Sequence, residues 1–204
     1  MDVYVRYGVG PALLGFSTFL AIVIGFVGPA PTADLDANKW IVVPLKNGIN
    51  SIDLNGDGVQ DMVIKSRREN YNAHGKSIYH FFVELKSSDG ATEKWNLVPF
   101  TEGSPKERHG LGTHEGADCV LGEIRLVRDT GRLEFPLIVI YADRKLGESY
   151  VATETVTFSV YELKHNHEGI PGWPTFYFER RNVTEAKRKY CDVNDAFEKE
   201  LGLN

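Results

Sequence analysis

The 204 residues are enough for one domain with a buried core once an N-terminal leader is set aside. Twenty glycines and an aromatic content of 11% favour strands and turns and argue against a helix bundle. The net charge of −5, with basic residues scattered along the chain, excludes the cationic footprint of a nucleic-acid-binding protein.

No charged residue lies between Arg6 and Asp34. The apolar run from Leu13 to Val27 has the length of a signal-peptide core and ends in small residues and prolines up to Ala33. Residues 1–33 are therefore predicted to be a signal peptide or, if uncleaved, an N-terminal anchor and the chain's membrane contact. Lipoprotein anchoring is not supported, because no cysteine lies near the end of the segment. Residues 34–204 are expected to form a single exported domain, periplasmic or secreted.

Trp40 to Pro44 reads as a short entering strand. The next stretch is the one around which the chain is organised. Asp53, Asn55, Asp57 and Asp61 fall at relative positions 1, 3, 5 and 9, and the carbonyl of Val59 stands at position 7. Alternating carboxylate and amide oxygens on a tight loop suit a hard cation such as calcium. Gly56 and Gly58 permit the positive φ angles that wrapping an ion requires. Position 12 is Ile64 where an EF-hand has glutamate, and both flanks read as extended chain. The prediction is a strand–loop–strand site with a structural calcium, closed by Asp61 from the start of the second strand. The same residues also make turns without an ion, and that reading stays open.

Directly after this hairpin, Arg67, Arg68, Asn70, Tyr71 and His74 form a candidate ligand-binding set. Guanidinium groups match a carboxylate in bidentate fashion. The structural alternative has Glu69 pairing with an arginine while the asparagines hold a turn. Ile78 to Leu85 is a predicted strand with Tyr79, Phe81, Val83 and Leu85 on one face. A turn at 87–90 and a strand from Trp95 to Phe100 follow. Residues 101–118 are polar and glycine-rich and read as the longest loop, a place for binding or for disorder.

Strands resume after Cys119, first through Val120, Ile124 and Leu126, then through Leu133, Phe135, Leu137, Val139 and Tyr141. Thr153 to Tyr161 reads as a half-exposed antiparallel strand with Val156, Phe158 and Val160 on one face. A turn at 169–174 leads to Phe176–Phe178. The one predicted helix of the mature chain is terminal. It has Asp192 as N-cap, Asp195 in its first turn, an apolar stripe of Val193, Phe197 and Leu201, and Gly202 as a stop. Cys119 and Cys191 pair most economically as a disulfide that staples this helix to the sheets; two buried free thiols are the other reading. The fold class is mainly β, an antiparallel β-sandwich or strongly curved sheet with the calcium-type hairpin and one C-terminal helix.

Catalytic motifs are few. His114-Glu115 begins like a zincin helix but sits among glycines, and His165 with His167 could share a metal or simply form a solvated turn. Neither a nucleophile elbow nor an S-x-x-K motif is present, and no catalytic residue is assigned.

Several segments together resemble the carbapenem self-resistance protein CarG family. They are 47–58 (NGINSIDLNGDG), 67–74 (RRENYNAH), 118–122 (DCVLG), 142–150 (ADRKLGESY), 160–163 (VYEL), 169–174 (GIPGWP) and 189–193 (KYCDV). The resemblance implies a small periplasmic β-rich protein connected with tolerance of carbapenems, protecting by binding or shielding without β-lactamase activity. It carries no catalytic residues across. The partners left open are a small-molecule β-lactam or an envelope ligand, and a second copy of the chain in a homodimer. The competing function is a calcium-stabilised adhesion or carbohydrate-binding module, with Trp95, Trp173, Tyr177 and Phe178 as a sugar platform.

Overall fold

The computed structural model describes residues 39–86, 93–103, 107–116 and 118–204. The expected leader over 1–33 and the expected turn at 87–90 lie outside the described residues. The described chain is mainly β. It runs β1 (Trp40–Val43), β2 (Gly48–Ile52), β3 (Asp61–Arg68), β4 (Lys76–Lys86) and β5 (Glu93–Leu97). Four two-residue strands follow: β6 (Phe100–Thr101), β7 (Glu107–Arg108), β8 (Leu111–Gly112) and β9 (His114–Glu115). The long strands are β10 (Val120–Asp129), β11 (Leu137–Arg144), β12 (Glu154–His165) and β13 (Phe176–Tyr190), before helix α1 (Val193–Leu201).

The strands form two sheets. The large one has the order β1-β10-β11-β12-β13-β6-β7, with β9 also on β10; the small one has the order β2-β3-β4-β5, with β8 also on β4. Every pairing is antiparallel except β6 beside β13, which is parallel. Alternation along each strand decides what it covers. On β4, Tyr79, Phe81 and Val83 face inward and are buried, as their period of two predicts. On the large sheet both faces are apolar. Leu126, Leu137, Val139, Tyr161, Leu163 and Phe178 meet the small sheet. Val127, Ile138, Ile140, Val156, Phe158 and Val160 meet α1 through Val193, Ala196 and Phe197. The molecule is thus three layers, small sheet, large sheet and helix, with a core on each side of the middle one.

An aromatic knot ties the two sheets. Phe100 and Phe178 stack at 4.8 Å, Phe81 meets them edge-on at 5.5 and 5.1 Å, and Tyr161 stands perpendicular to Phe100 at 5.2 Å. Each fully buried ring contributes roughly 1.5–3 kcal/mol from burial, and each edge-on pair about 0.5–1.5 kcal/mol more.

Three strand expectations change. The run from Trp95 to Phe100 is two strands in different sheets. Val98 N–H donates to Phe81 O at 2.8 Å in the small sheet, and Pro99 O accepts from Phe178 N–H at 2.8 Å in the large one. Proline has no N–H to extend the first ladder, so the chain changes sheet there. Leu133 and Phe135 belong to the turn before β11. Leu133 is 98% exposed and Phe135 has a φ of 48°. Pro136 again lacks a donor, and pairing with β10 starts at Leu137. β12 is an interior strand, flanked by β11 and β13 and buried on both faces around Tyr161–Leu163. The half-exposed reading holds up to Val160, where buried Val156, Phe158 and Val160 alternate with partly exposed Thr155, Thr157 and Ser159, and it ends at Tyr161, where the second face is covered too. The 101–118 loop contains β7, β8 and β9 as short bridges to both sheets.

The helix forms as read. Asp192 accepts from Asn194 N–H, and Gly202 closes the helix at a φ of 66° with its N–H on Glu198 O. Cys119 and Cys191 are joined in a disulfide with a Cα–Cα distance of 5.7 Å. Beside it, Asp192 also accepts from Val120 N–H at 3.0 Å, a second tie between helix start and sheet. Among the described residues, no helix is long and apolar enough to cross a membrane.

Candidate functional site

The 53–61 loop is a chain of side-chain-to-backbone turns. Asp53 accepts from Gly56 N–H at 2.7 Å and Gly58 N–H at 2.9 Å. Asn55 accepts from Asp57 N–H at 3.1 Å, and Asp57 from Val59 N–H at 2.7 Å. Gly56 and Gly58 both have a φ of 82°, the left-handed region this winding needs. Asp61 is 1% exposed and faces the core, accepting from Leu54 N–H at 2.8 Å and Glu84 N–H at 2.9 Å. Burial pushes its carboxyl pKa up, the two N–H groups pull it down, and nearby Asp57 and Asp53 push it up again. The donor set fits a hard cation in type, and a cation would relieve the repulsion among these carboxylates. Among the described residues, no group of three His, Cys, Asp or Glu side chains converges on a ready-made metal position. Asp61 therefore has a definite role without an ion, joining the loop to β3 and β4.

The Arg67–His74 stretch folds mainly onto itself. Arg67 bridges to Glu115 on β9 at 2.6 Å and approaches Glu69 at 3.6 Å. Glu69 accepts from the N–H groups of Asn70 and Tyr71, and Asn72 accepts from His74 N–H, each at 2.9 Å. The Asn70 amide donates to His74 O. The His74 ring lies 4.3 Å from that of Tyr150, and its Nδ1 is buried without a hydrogen-bond partner. Arg68 and Tyr71 point to solvent, Tyr71 at 97% exposure. Tyr150 is set by Arg144, a buried guanidinium that donates to the carbonyls of Lys145, Leu146, Tyr150 and Ala152.

The remaining sequence candidates separate. Phe178 is in the core, whereas Trp173 and Tyr177 pair at 5.3 Å around a small hollow with Asn166 and Ile170. The rings of His165 and His167 lie 4.0 Å apart, and His165 stacks on Phe176.

A site that the sequence does not announce lies where the large sheet outruns the small one. Tyr141, Ser159 and Val183 form one cross-strand row on the inner face, and Gly122, Asp143, Thr157 and Glu185 form the next. Apart from Gly122, which is buried, these residues are half-buried or exposed, unlike the covered row of Val139 and Tyr161 beside them. The rows make a shelf roughly 20 Å wide at the usual spacing of strands. His114 on β9 stands opposite Gly122 at one side. At the other edge, Arg108 on β7 donates to the Tyr161 hydroxyl and to Glu102, at 2.8 Å for the latter. Arg180 on β13 lies 3.1 Å from the second oxygen of Glu102. The Tyr141 hydroxyl donates to Asp143 at 3.3 Å. Gly122 lets the Tyr141 hydroxyl and Asp143 close down on the backbone, since a Cβ there would lie 3.3 Å from that hydroxyl and 3.5 Å from the Asp143 carboxylate.

Electrostatics fix the protonation of the shelf. Burial and the Asp143 carboxylate raise the Tyr141 pKa, against a smaller opposing pull from Arg108. Burial likewise raises that of Tyr161, again opposed by Arg108. Both phenols stay protonated; that of Tyr141 donates to Asp143, and that of Tyr161 accepts from Arg108. Asp143 reaches solvent, yet the surrounding walls remove enough water to raise its pKa, against the Tyr141 hydrogen bond and the His114 and Arg108 charges. Glu102, Arg108 and His114 all come from the 101–118 loop. A second hollow of about 210 Å³, lined by Lys65, Tyr79, Glu123 and Arg125, is less available. There Tyr79 donates to Glu123 at 2.8 Å, and Arg125 holds Asn194 and lies over the Phe197 ring.

Residues 45–199 match the family described as "Carbapenem resistance protein CarG-like". The chain belongs to the CarG-like family. The match runs from just before β2 to within α1, so it includes the 53–61 loop, both cysteines and the whole shelf. The crystal structure of CarG aligns with 80% of this chain and 99% of that one, with a TM-score of 0.62 and 23% identity. At that identity the likeness is one of fold. No curated protein is a significant match. The sequence resemblance to this family, and the β-rich fold it implied, both hold.

Proposed function

We propose that this member of the CarG-like family is an exported protein that protects against carbapenems by binding the drug without hydrolysing it. The observation that carries the reading is the family match over residues 45–199, which spans every element of the shelf. The chemistry of the shelf supports binding. Arg108 and Arg180 at its edge offer charge to an anionic ligand, and Tyr141 and Asp143 offer hydrogen-bonding groups. Export is supported by the apolar N-terminal sequence and by the Cys119–Cys191 disulfide, a bond that persists in oxidising compartments. Calcium enters as a structural ion of the 53–61 loop, through Asp53, Asn55, Asp57, Asp61 and the carbonyl of Val59.

The test is to express the full chain in a carbapenem-susceptible bacterium and measure the lowest drug concentration that stops growth. A raised threshold, with intact drug recovered from the medium, is the expected result. Drug loss that scales with the amount of protein would replace binding by hydrolysis. An unchanged threshold with abundant folded protein would sink the protective role. The carbohydrate-binding alternative then draws on Trp173 and Tyr177, and a glycan screen with and without chelator tests it.

A further inference from the structure

The two arginines at the edge of the shelf hold a single carboxylate between them. Arg108 and Arg180 come from different strands, β7 and β13. One contacts Oε1 of Glu102 at 2.8 Å and the other Oε2 at 3.1 Å. The Glu102 side chain is 40% exposed, and the side chains of Arg108 and Arg180 are 42% and 32% exposed. An ion pair this open to water is weakly held and readily exchanged. The cradle itself is firmer than its occupant. Arg108 is anchored on the Tyr161 hydroxyl, and Tyr161 is fully buried against Phe100.

Next to this cradle lie polar groups for a ligand's other end. Tyr141 and Ser159 stand in the next row, the Tyr141 hydroxyl donating to Asp143 at 3.3 Å. Asp143 and Glu185 supply acceptors beyond it. The order across the shelf is cationic edge, hydroxyl floor, then anionic rim.

We propose that Arg108 and Arg180 are a carboxylate clamp, that Glu102 is its resident occupant, and that an anionic small molecule binds by displacing Glu102. The ligand class is a compact molecule with one carboxylate for the arginines and a donor-bearing arm for the acidic rim. The inference rests on the binding reading above, for which the ligand carboxylate is that of the carbapenem. It adds the site and an internal competitor.

The experiment is calorimetric titration of the purified full-length protein with a carbapenem and, as a control, with the same drug esterified at its carboxylate. Glu102→Gln removes the competing charge at an exposed position and is expected to tighten drug binding roughly 3–10-fold, with no gain for the ester. Arg108→Lys keeps the charge but loses the planar fork, and is expected to weaken binding by about tenfold or more. The gain in the first variant is a readout that misfolding cannot imitate. If wild-type protein binds and both variants bind equally well, the clamp is wrong and the ligand sits elsewhere, while protection by binding survives. If neither wild type nor Glu102→Gln binds up to millimolar drug while growth protection persists, the clamp and the binding reading both fall.

Discussion

Glu162 shows how a charge survives on a central strand. Its side chain is 11% exposed, yet Arg132 pairs with it closely and Lys164 and Arg181 approach at 3.1 and 3.4 Å. Burial alone would raise its carboxyl pKa, but the hydrogen bonds and charges of Arg132 and Lys164 outweigh burial and lower it below the ordinary 4.5. A carboxylate with a depressed folded pKa stabilises above the unfolded value and loses that contribution as pH falls through the folded value. Glu162→Gln should therefore cost about 1–2 kcal/mol at pH 7, discounted because Arg132 is partly exposed, and the cost should fade below pH 4.5. Urea denaturation of both proteins at pH 7 and at pH 3.5 checks it; an unchanged difference at acid pH would contradict the pairing. Asp61 is a stronger case, because two buried N–H groups depend on it. Asp61→Ala should cost roughly 2–4 kcal/mol whether or not calcium is present. Saturating calcium should raise the melting temperature of the wild-type protein, with a stabilisation of about 2.7 kcal/mol at a hundredfold excess over Kd, and Asp57→Ala should abolish the rise. No calcium response in the wild type would leave the loop as a self-bonded turn.

At the scale of elements, α1 is held by a covalent and a packed attachment. The disulfide closes a sequence separation of 72 residues, which restricts the unfolded chain by about 4 kcal/mol in the entropy model. Cys119→Ser with Cys191→Ser should lose a stability of that order without unfolding α1, because Phe197 and Val193 remain buried. Chemical denaturation gives the loss, and hydrogen exchange should show faster opening confined to α1 and the start of β10. This helix was legible in the sequence because its signals are local: a cap, a stripe and a stop within about three turns. The calcium-type hairpin and β4 were legible for the same reason. β13 beyond Phe178 was not, because its bulges break the alternation and Arg181, Val183 and Glu185 are exposed where a covered strand would carry apolar residues. Pro99 marked a break without saying that the chain would change sheets. The shelf was the least readable feature. Its residues come from six strands and the segment after β6, and Tyr141 passed as one more apolar position in a strand.

For the molecule as a whole, the middle layer should be the most protected. Amides of β10, β11 and β12 lie between two cores, whereas β2 is an edge strand of the small sheet with Ile49 63% exposed. Native-state hydrogen exchange should place the slowest amides in β11 and β12 and the faster ones in β2. Equal rates in the two sheets would mean that they open as one unit.

The handover at Pro99 also constrains the order in which the chain can fold. β6 lies parallel to β13, and β1 lies beside β10, so both N-terminal contributions to the large sheet wait for strands made late. A nascent chain that has emerged only as far as β9 has no large sheet to join, and its Phe100 lacks both Phe178 and Tyr161. Long-range pairing of this kind is slow to form and depends on the C-terminal third being present. A C-terminal truncation would therefore be felt at the first strand as much as at the last. The full-length chain lacks its middle layer until it is nearly complete, so β1 and β6 wait for their partners in it.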